Sequence, residues 1–286
     1  MATTFYNQAT LSYNGISTTS NTVTGEILDA LSVTKTSLTK TYSPDSVMTY
    51  VVSLINTGTS PLTSLTLTDN LGAYNYSTEE TSIVVPLVFI EGTLLYYVDG
   101  VLQAAPTVGG TSPLTVTGIN IPIGGNATLI YQAQTNEFAP PDGNITNTVS
   151  ATGGGLVATV TATETVTATT QPVLSITKSV SPTSVSENGD LTYFFNIENV
   201  GSSPATETDN VTVTDTFSPI LRNLTVTFNG QTLSPETDYN YDETTGEFTT
   251  NPGVITVPAA TFTQNPETGE WQIISGNAVL TVTGIV

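Results

Sequence analysis

The sequence predicts an all-β protein, and three observations predict it. Thr, Val and Ser dominate, and runs such as Thr159-Val160-Thr161-Ala162-Thr163 alternate polar with small or apolar residues. That period of two marks half-buried strands, and apolar stripes at i, i+3, i+4, i+7 are almost absent. Turn pairs such as Asp99-Gly100 and Asn229-Gly230 separate the strands at short spacing, which favours immunoglobulin-like sandwiches of two sheets. With 286 residues and 38% hydrophobic content, the chain is globular and long enough for two domains, each with its own core.

An internal repeat supplies the order of elements. Residues 31–61 and 174–204 align without a gap at an offset of 143, with 11 of 31 positions identical. The identities include Lys35/Lys178, Tyr50/Tyr193, Asn56/Asn199, Gly58/Gly201 and Pro61/Pro204. A three-residue insertion then brings Leu67-Thr68-Asp69 onto Val213-Thr214-Asp215, and Gly125–Leu129 matches Gly276–Leu280. The expected domains are a sandwich over 31–170, a linker at 171–173 containing Pro172, and a second sandwich over 174–286.

The two units are expected to end differently. The first continues through Ile145–Ala151, a Gly153-Gly154-Gly155 turn and a strand near Val157–Val166. The second reaches Val286 before the counterparts of those two strands. Residues 1–30 resemble them: Phe5 to Tyr13, an Asn14-Gly15 turn, then a strand around Asn21–Leu28. Phe5, Asn7, Ala9, Leu11 and Tyr13 alternate onto one face of a donor strand. An open sandwich exposes an unpaired edge and an apolar face, and a neighbour's hairpin would close both. Donor and acceptor at opposite ends make the contact heterologous, which builds an open filament.

Strand alternation also points one Lys, one Asp and one Asn inward in each unit: Lys35, Asp69 and Asn147, then Lys178, Asp215 and a donated Asn7. Two readings stay open. Desolvation lowers a Lys pKa and raises that of an Asp, so a neutral amine could attack the Asn carboxamide and form an isopeptide bond. Lys35–Asn147 would lie within a subunit and Lys178–Asn7 between subunits, with Asp69 and Asp215 as proton shuttles. The plainer reading is a rim salt bridge, Lys35–Asp69 and Lys178–Asp215, with each Asn capping a turn.

Net charge is −20, from 24 acidic and four basic residues, which argues against nucleic acid and anionic membrane surfaces. There is no Cys and no His, so no disulfide framework and no histidine base or ligand. No stretch is long enough to span a bilayer as a helix, and the start lacks the features of a signal peptide. Two explanations fit that start: the numbering begins after processing and cloning, or the protein is made inside a cell and assembled there before release. Asp238, Asp242 and Glu243 lack regular calcium-ligand spacing, and the sequons at Asn126 and Asn223 are expected by chance in so Thr-rich a chain. No metal site and no cofactor are expected, and no Gly-x-Ser-x-Gly elbow or phosphate loop appears.

The Leu31-Ser-Val-Thr-Lys35 strand, the Tyr50…Asn56-Thr-Gly58-Thr-Ser-Pro61 stretch and Leu67-Thr-Asp69 resemble a bacterial surface-repeat family known only as the eleventh domain of unknown function. The two-unit layout with a spare N-terminal hairpin is similar to subunits of clostridial endospore appendages. The resemblance implies sandwich repeats displayed on a cell or spore surface. The expected protein is therefore a structural fibre subunit whose partner is itself, not an enzyme. The alternative is a monomeric cell-surface adhesin or ligand-binding module, with a paired-carboxylate glycosidase behind it.

Overall fold

The computed structural model describes residues 3–27, 29–77 and 82–286, so Met1, Ala2 and Leu28 of the expected donor segment lie outside the described residues. Strands account for nearly all the regular structure, with one 3-10 turn at Glu207–Asp209. The chain divides into two compact units, Met1–Thr167 and Ala168–Val286. No helix among the described residues is long and apolar enough to cross a membrane.

The N-terminal segment is a long hairpin of four short strands, β1 (Thr3–Asn7), β2 (Thr10–Tyr13), β3 (Ile16–Thr19) and β4 (Val23–Ile27). β1 pairs with β4 and β2 with β3, and among the described residues these strands join no other sheet. Asn14 and Gly15, with φ of 49° and 79°, make the tight turn that an Asn-Gly pair favours. The return strand begins directly after that turn at Ile16, earlier than the expected Asn21. The donor strand is also broken. Asn7 pairs with Val23 but Thr10 with Thr19, a one-residue shift that places an extra residue on the return side. The break is clasped by Ser20, whose N–H donates to Ala9 O at 2.8 Å and whose hydroxyl accepts from Ala9 N–H at 3.0 Å.

Unit 1 proper contains β5 (Leu31–Ser37), β6 (Thr41–Tyr42), β7 (Val47–Asn56), β8 (Leu62–Asp69), β9 (Leu95–Val98), β10 (Leu114–Ile121), β11 (Asn126–Thr135), β12 (Asn144–Gly153) and β13 (Val160–Ala168). One sheet runs β9-β11-β7-β5 and the other β10-β8-β12-β13-β6, with short edge strands extending both. The pairing is antiparallel and the faces alternate. Tyr50, Val52 and Leu54 from β7 and Leu129 and Tyr131 from β11 meet Leu65, Leu67, Ile119 and Val149 in a closed core.

Unit 2 repeats this plan with β14 (Leu174–Ser181), β15 (Asp190–Asn199), β16 (Thr214–Thr216), β17 (Arg222–Phe228), β18 (Tyr239–Tyr241), β19 (Glu247–Thr250) and β20 (Gly276–Ile285). Its larger sheet runs β14-β15-β20-β17, and its smaller sheet β16-β19-β18. Phe195, Phe217, Val226, Phe248, Leu280 and Val282 form the core. The Asn-x-Gly motif does the same work in both units. Asn56 Nδ2 donates to Ser60 O and Pro122 O while Oδ1 accepts from Gly58 N–H at 3.0 Å. Asn199 Nδ2 donates to Ser203 O and Pro258 O, and Oδ1 accepts from Gly201 N–H and Val173 N–H. Each Asn is buried and pins the loop after its strand.

The units differ where cover is concerned. In unit 1, β8 lies between β10 and β12, and β12 with β13 closes the sandwich beside β5. In unit 2, β16 pairs with β19 alone among the described residues. The inward side chains of β14 show the result. Leu31 of β5 is 3% exposed, whereas its counterpart Leu174 is 37% and Ile176 is 53%.

Candidate functional site

Strand β5 alternates, so Leu31, Lys35 and Ser37 turn inward, and β8 turns Leu65, Leu67 and Asp69 to the same core from the opposite sheet. Lys35 Nζ stands 2.5 Å from Asp69 Oδ2, with both side chains at most 1% exposed. The second Asp69 oxygen accepts from Leu71 N–H at 2.8 Å. Tyr131 of β11 donates its hydroxyl to Asp69 Oδ2, and the Lys35 ammonium lies 4.8 Å from the centre of the Tyr50 ring. Tyr50 and Tyr131 stack at 5.7 Å.

Asn147 completes the group. It sits two residues before Val149, which pairs with Asp69 across the β12–β8 ladder, so it faces the same interior. Its carboxamide lies against the Tyr50 and Tyr131 hydroxyls. Yet Oδ1 and Nδ2 are both buried without a well-formed hydrogen bond, and so is the Tyr50 hydroxyl. Nearly all buried polar atoms find partners, and an orphan costs about 1–3 kcal/mol. The Asn147 carboxamide and the Tyr50 hydroxyl thus stand beside the buried Lys35–Asp69 pair with hydrogen-bonding capacity unfilled.

Electrostatics run the same way. Burial pushes the Lys35 ammonium down to about 8, against the opposing pull of Asp69. Burial also pushes the Tyr50 and Tyr131 hydroxyls up, with the Asp69 charge adding to it. Both tyrosines therefore stay neutral donors at physiological pH. The expectation that Asp69 meets solvent at its strand end is corrected here: Leu71 and Tyr131 close over it, and the pair is no rim salt bridge. Nor does Asn147 cap a turn.

The second set is only half assembled. Lys178 reaches Asp215, but their side chains are 39% and 18% exposed. The ammonium lies over the rings of Tyr193, Phe195 and Phe217 at 4.3, 5.4 and 5.3 Å. Asp215 Oδ1 accepts from Thr216 N–H at 2.9 Å. Asn7 belongs to β1 of the other unit and is exposed like Phe5, Ala9, Leu11 and Tyr13. Tyr131 has no equivalent hydroxyl here. It pairs with Tyr50, and the residue that pairs with Tyr193 is Val282. Sequence reasoning passed over Tyr131, although a Tyr inside an otherwise aliphatic Ala-Thr-Leu-Ile strand was the available signal. Farther off, Asp238 and Asp242 accept from Ser234 N–H and Thr244 N–H and serve as turn caps.

No family model matches the chain, and no curated protein matches it. Among solved structures it is similar to the C-terminal domain of the antigen I/II-family protein AspA of Streptococcus pyogenes, at 10% identity over 90% of this chain and 92% of that chain, TM-score 0.36. It is also similar to BcpA, the major pilin subunit of Bacillus cereus, at 13% identity over 96% and 73%, TM-score 0.36. The pilus backbone RrgB of Streptococcus pneumoniae follows at 13% over 86% and 55%, TM-score 0.35. Similarity of that degree assigns neither family nor function.

Proposed function

We propose that the chain is the structural subunit of an extracellular fibre, and that each copy docks its N-terminal hairpin into unit 2 of the next. One observation carries the reading. The same chain holds a sandwich with an uncovered inward face and a hairpin whose apolar side chains stand exposed. Leu174 and Ile176 are exposed where Leu31 is buried, and β16 has one free edge where β8 has two partners. Phe5, Leu11, Tyr13, Ile16 and Val23 are exposed on the hairpin. Glu26 is the one charged residue between 3 and 27, in a chain where 10% of residues are charged. Docking such a segment buries few charges, which keeps its desolvation cost low.

Unit 1 supplies the template for docking. Placing Asn7 where Asn147 stands sets Ala9, Leu11 and Tyr13 on the path of Val149, Ala151 and Gly153 beside β8. Ala9 then faces Asp215, and Leu11 faces Val213. Full burial of a large apolar side chain contributes about 1.5–3 kcal/mol, against an association cost of about 4–15 kcal/mol. Several such side chains, together with new backbone ladders on β16, are enough to hold the contact.

In this reading Lys35 and Asn147 form an isopeptide bond. The Lys35 amine attacks Asn147 Cγ, the Cγ–Nδ2 bond breaks, and Asp69 passes the proton from amine to Nδ2, which leaves as ammonia. Display on a spore surface belongs to the same proposal, by the resemblance drawn above. Electron microscopy of the full chain and of a variant lacking residues 3–27 tests the fibre. Filaments from the first and none from the second are expected. A monomeric full chain at all concentrations overturns the reading in favour of an adhesin module.

A further inference from the structure

The two Lys–Asp pairs occupy the same place in the repeat but not the same state, and the difference is cover. Lys35 is sealed under β12, whereas Lys178 rests on an aromatic shelf with its side chain 39% exposed. The Lys178 side chain keeps contact with water and with ring faces, and an ammonium has no lone pair with which to attack. Resting on the hairpin-docking reading, we propose that Lys178 is a docking-gated nucleophile, inert in the lone subunit and made reactive only when a neighbour's hairpin covers it and presents Asn7.

The hairpin is suited to that task. On it, Val23 pairs with Asn7, whereas in unit 1 Glu164 pairs with Asn147. Glu164 holds Lys35 partly in its charged form, and the hairpin brings no such carboxylate to Lys178. The residue facing Tyr193 is Val282, so Asp215 lacks the counterpart of the hydroxyl that Tyr131 gives Asp69. Closing the hairpin expels water from the Lys178–Asp215 pair, and the ammonium releases a proton to solvent as the cover closes. The amine then attacks Asn7 Cγ. The Nζ–Cγ bond forms, the Cγ–Nδ2 bond breaks, and Asp215 carries the amine's proton to Nδ2, which departs as ammonia. Charge and atoms balance without oxidant or reductant. The covalent joint thus follows correct docking and cannot precede it.

The test uses the full chain with Leu11→Asp and Tyr13→Asp, which disables its own hairpin and leaves unit 2 untouched. A fluorescent synthetic peptide of residues 3–27 is added, and binding is read by anisotropy and products by intact mass. The expected result is a one-to-one adduct whose mass is the sum of both partners less one ammonia, linked at Lys178 and lost in Lys178→Arg. A peptide carrying Leu11→Asp and Tyr13→Asp but keeping Asn7 should give no adduct. Binding without any adduct overturns the gated bond and leaves docking standing. Adduct at equal rate from the non-docking peptide overturns the gate. No binding at all overturns docking, and this inference with it.

Discussion

Among single residues, Lys35 and the two loop-pinning asparagines bear the most on stability and chemistry. A Lys35 held near 8 is about one-tenth amine at pH 7. Ammonia loss from freshly folded protein should therefore speed up about tenfold per pH unit below 8 and level off above it, as followed by intact mass. Asp69→Ala should abolish the loss while Tyr131→Phe only slows it. In Asn147→Ala, where no bond can form, Lys35 still titrates. Its native pKa lies below its unfolded value, so the unfolded chain holds the proton more tightly between them. Stability by urea denaturation should then rise with pH between about 8 and 10. Above 10 the buried tyrosines, shifted upward, begin to take stability away. Asn199→Ala removes an acceptor and two donations from a fully buried site and should cost about 3 kcal/mol or more. The inward facing of Lys35, Asp69 and Asn147 was legible from alternation alone. The seal over Asp69 was not, because Tyr131 comes from a strand 62 residues farther along the chain.

At the scale of elements, the hairpin stands out because its own stability owes little to what its side chains face. Leu11→Asp with Tyr13→Asp should leave the thermal midpoint of dispersed subunits unchanged and remove fibres. Gly25 is a subtler probe. The Phe5 ring lies across it, and a Cβ there would meet Phe5 Cζ at 2.4 Å. Gly25→Val should push the ring off the strand and raise the protein concentration needed for assembly, measured by sedimentation. The Asn14-Gly15 turn could be read directly, since that pair favours positive φ at both positions. The break near Gln8 and Ser20 could not. It depends on a serine hydroxyl and a glutamine amide reaching across the ribbon, and neither residue type announces such a clasp. In unit 2 the repeat sets Val213-Thr214-Asp215 against the end of the long strand β8, and the ladder holds only Thr214–Thr216. The missing length corresponds to the part of β8 that in unit 1 is held in ladders by both β10 and β12.

For the whole molecule, charge and assembly oppose each other. Subunits with a net charge of −20 repel, and the near-neutral hairpin must close that gap at short range. Raising salt from about 10 mM to about 150 mM shortens the screening length from about 30 to 8 Å, so fibres should form at lower protein concentration. Light scattering across a salt series checks this. The arrangement of strands also decides how tension would travel along such a fibre. A neighbour gripping β1–β4 pulls on a chain that reaches Lys35 only eight residues after Ile27. Bonded to Asn147, that lysine would send the force straight across the sandwich into β12. The stretch from residue 35 to 147, about 370 Å of extended chain, would never be drawn out. Pulled at its ends, the first unit would lengthen only by the residues outside the bonded loop, chiefly those of β12 and β13 beyond Asn147.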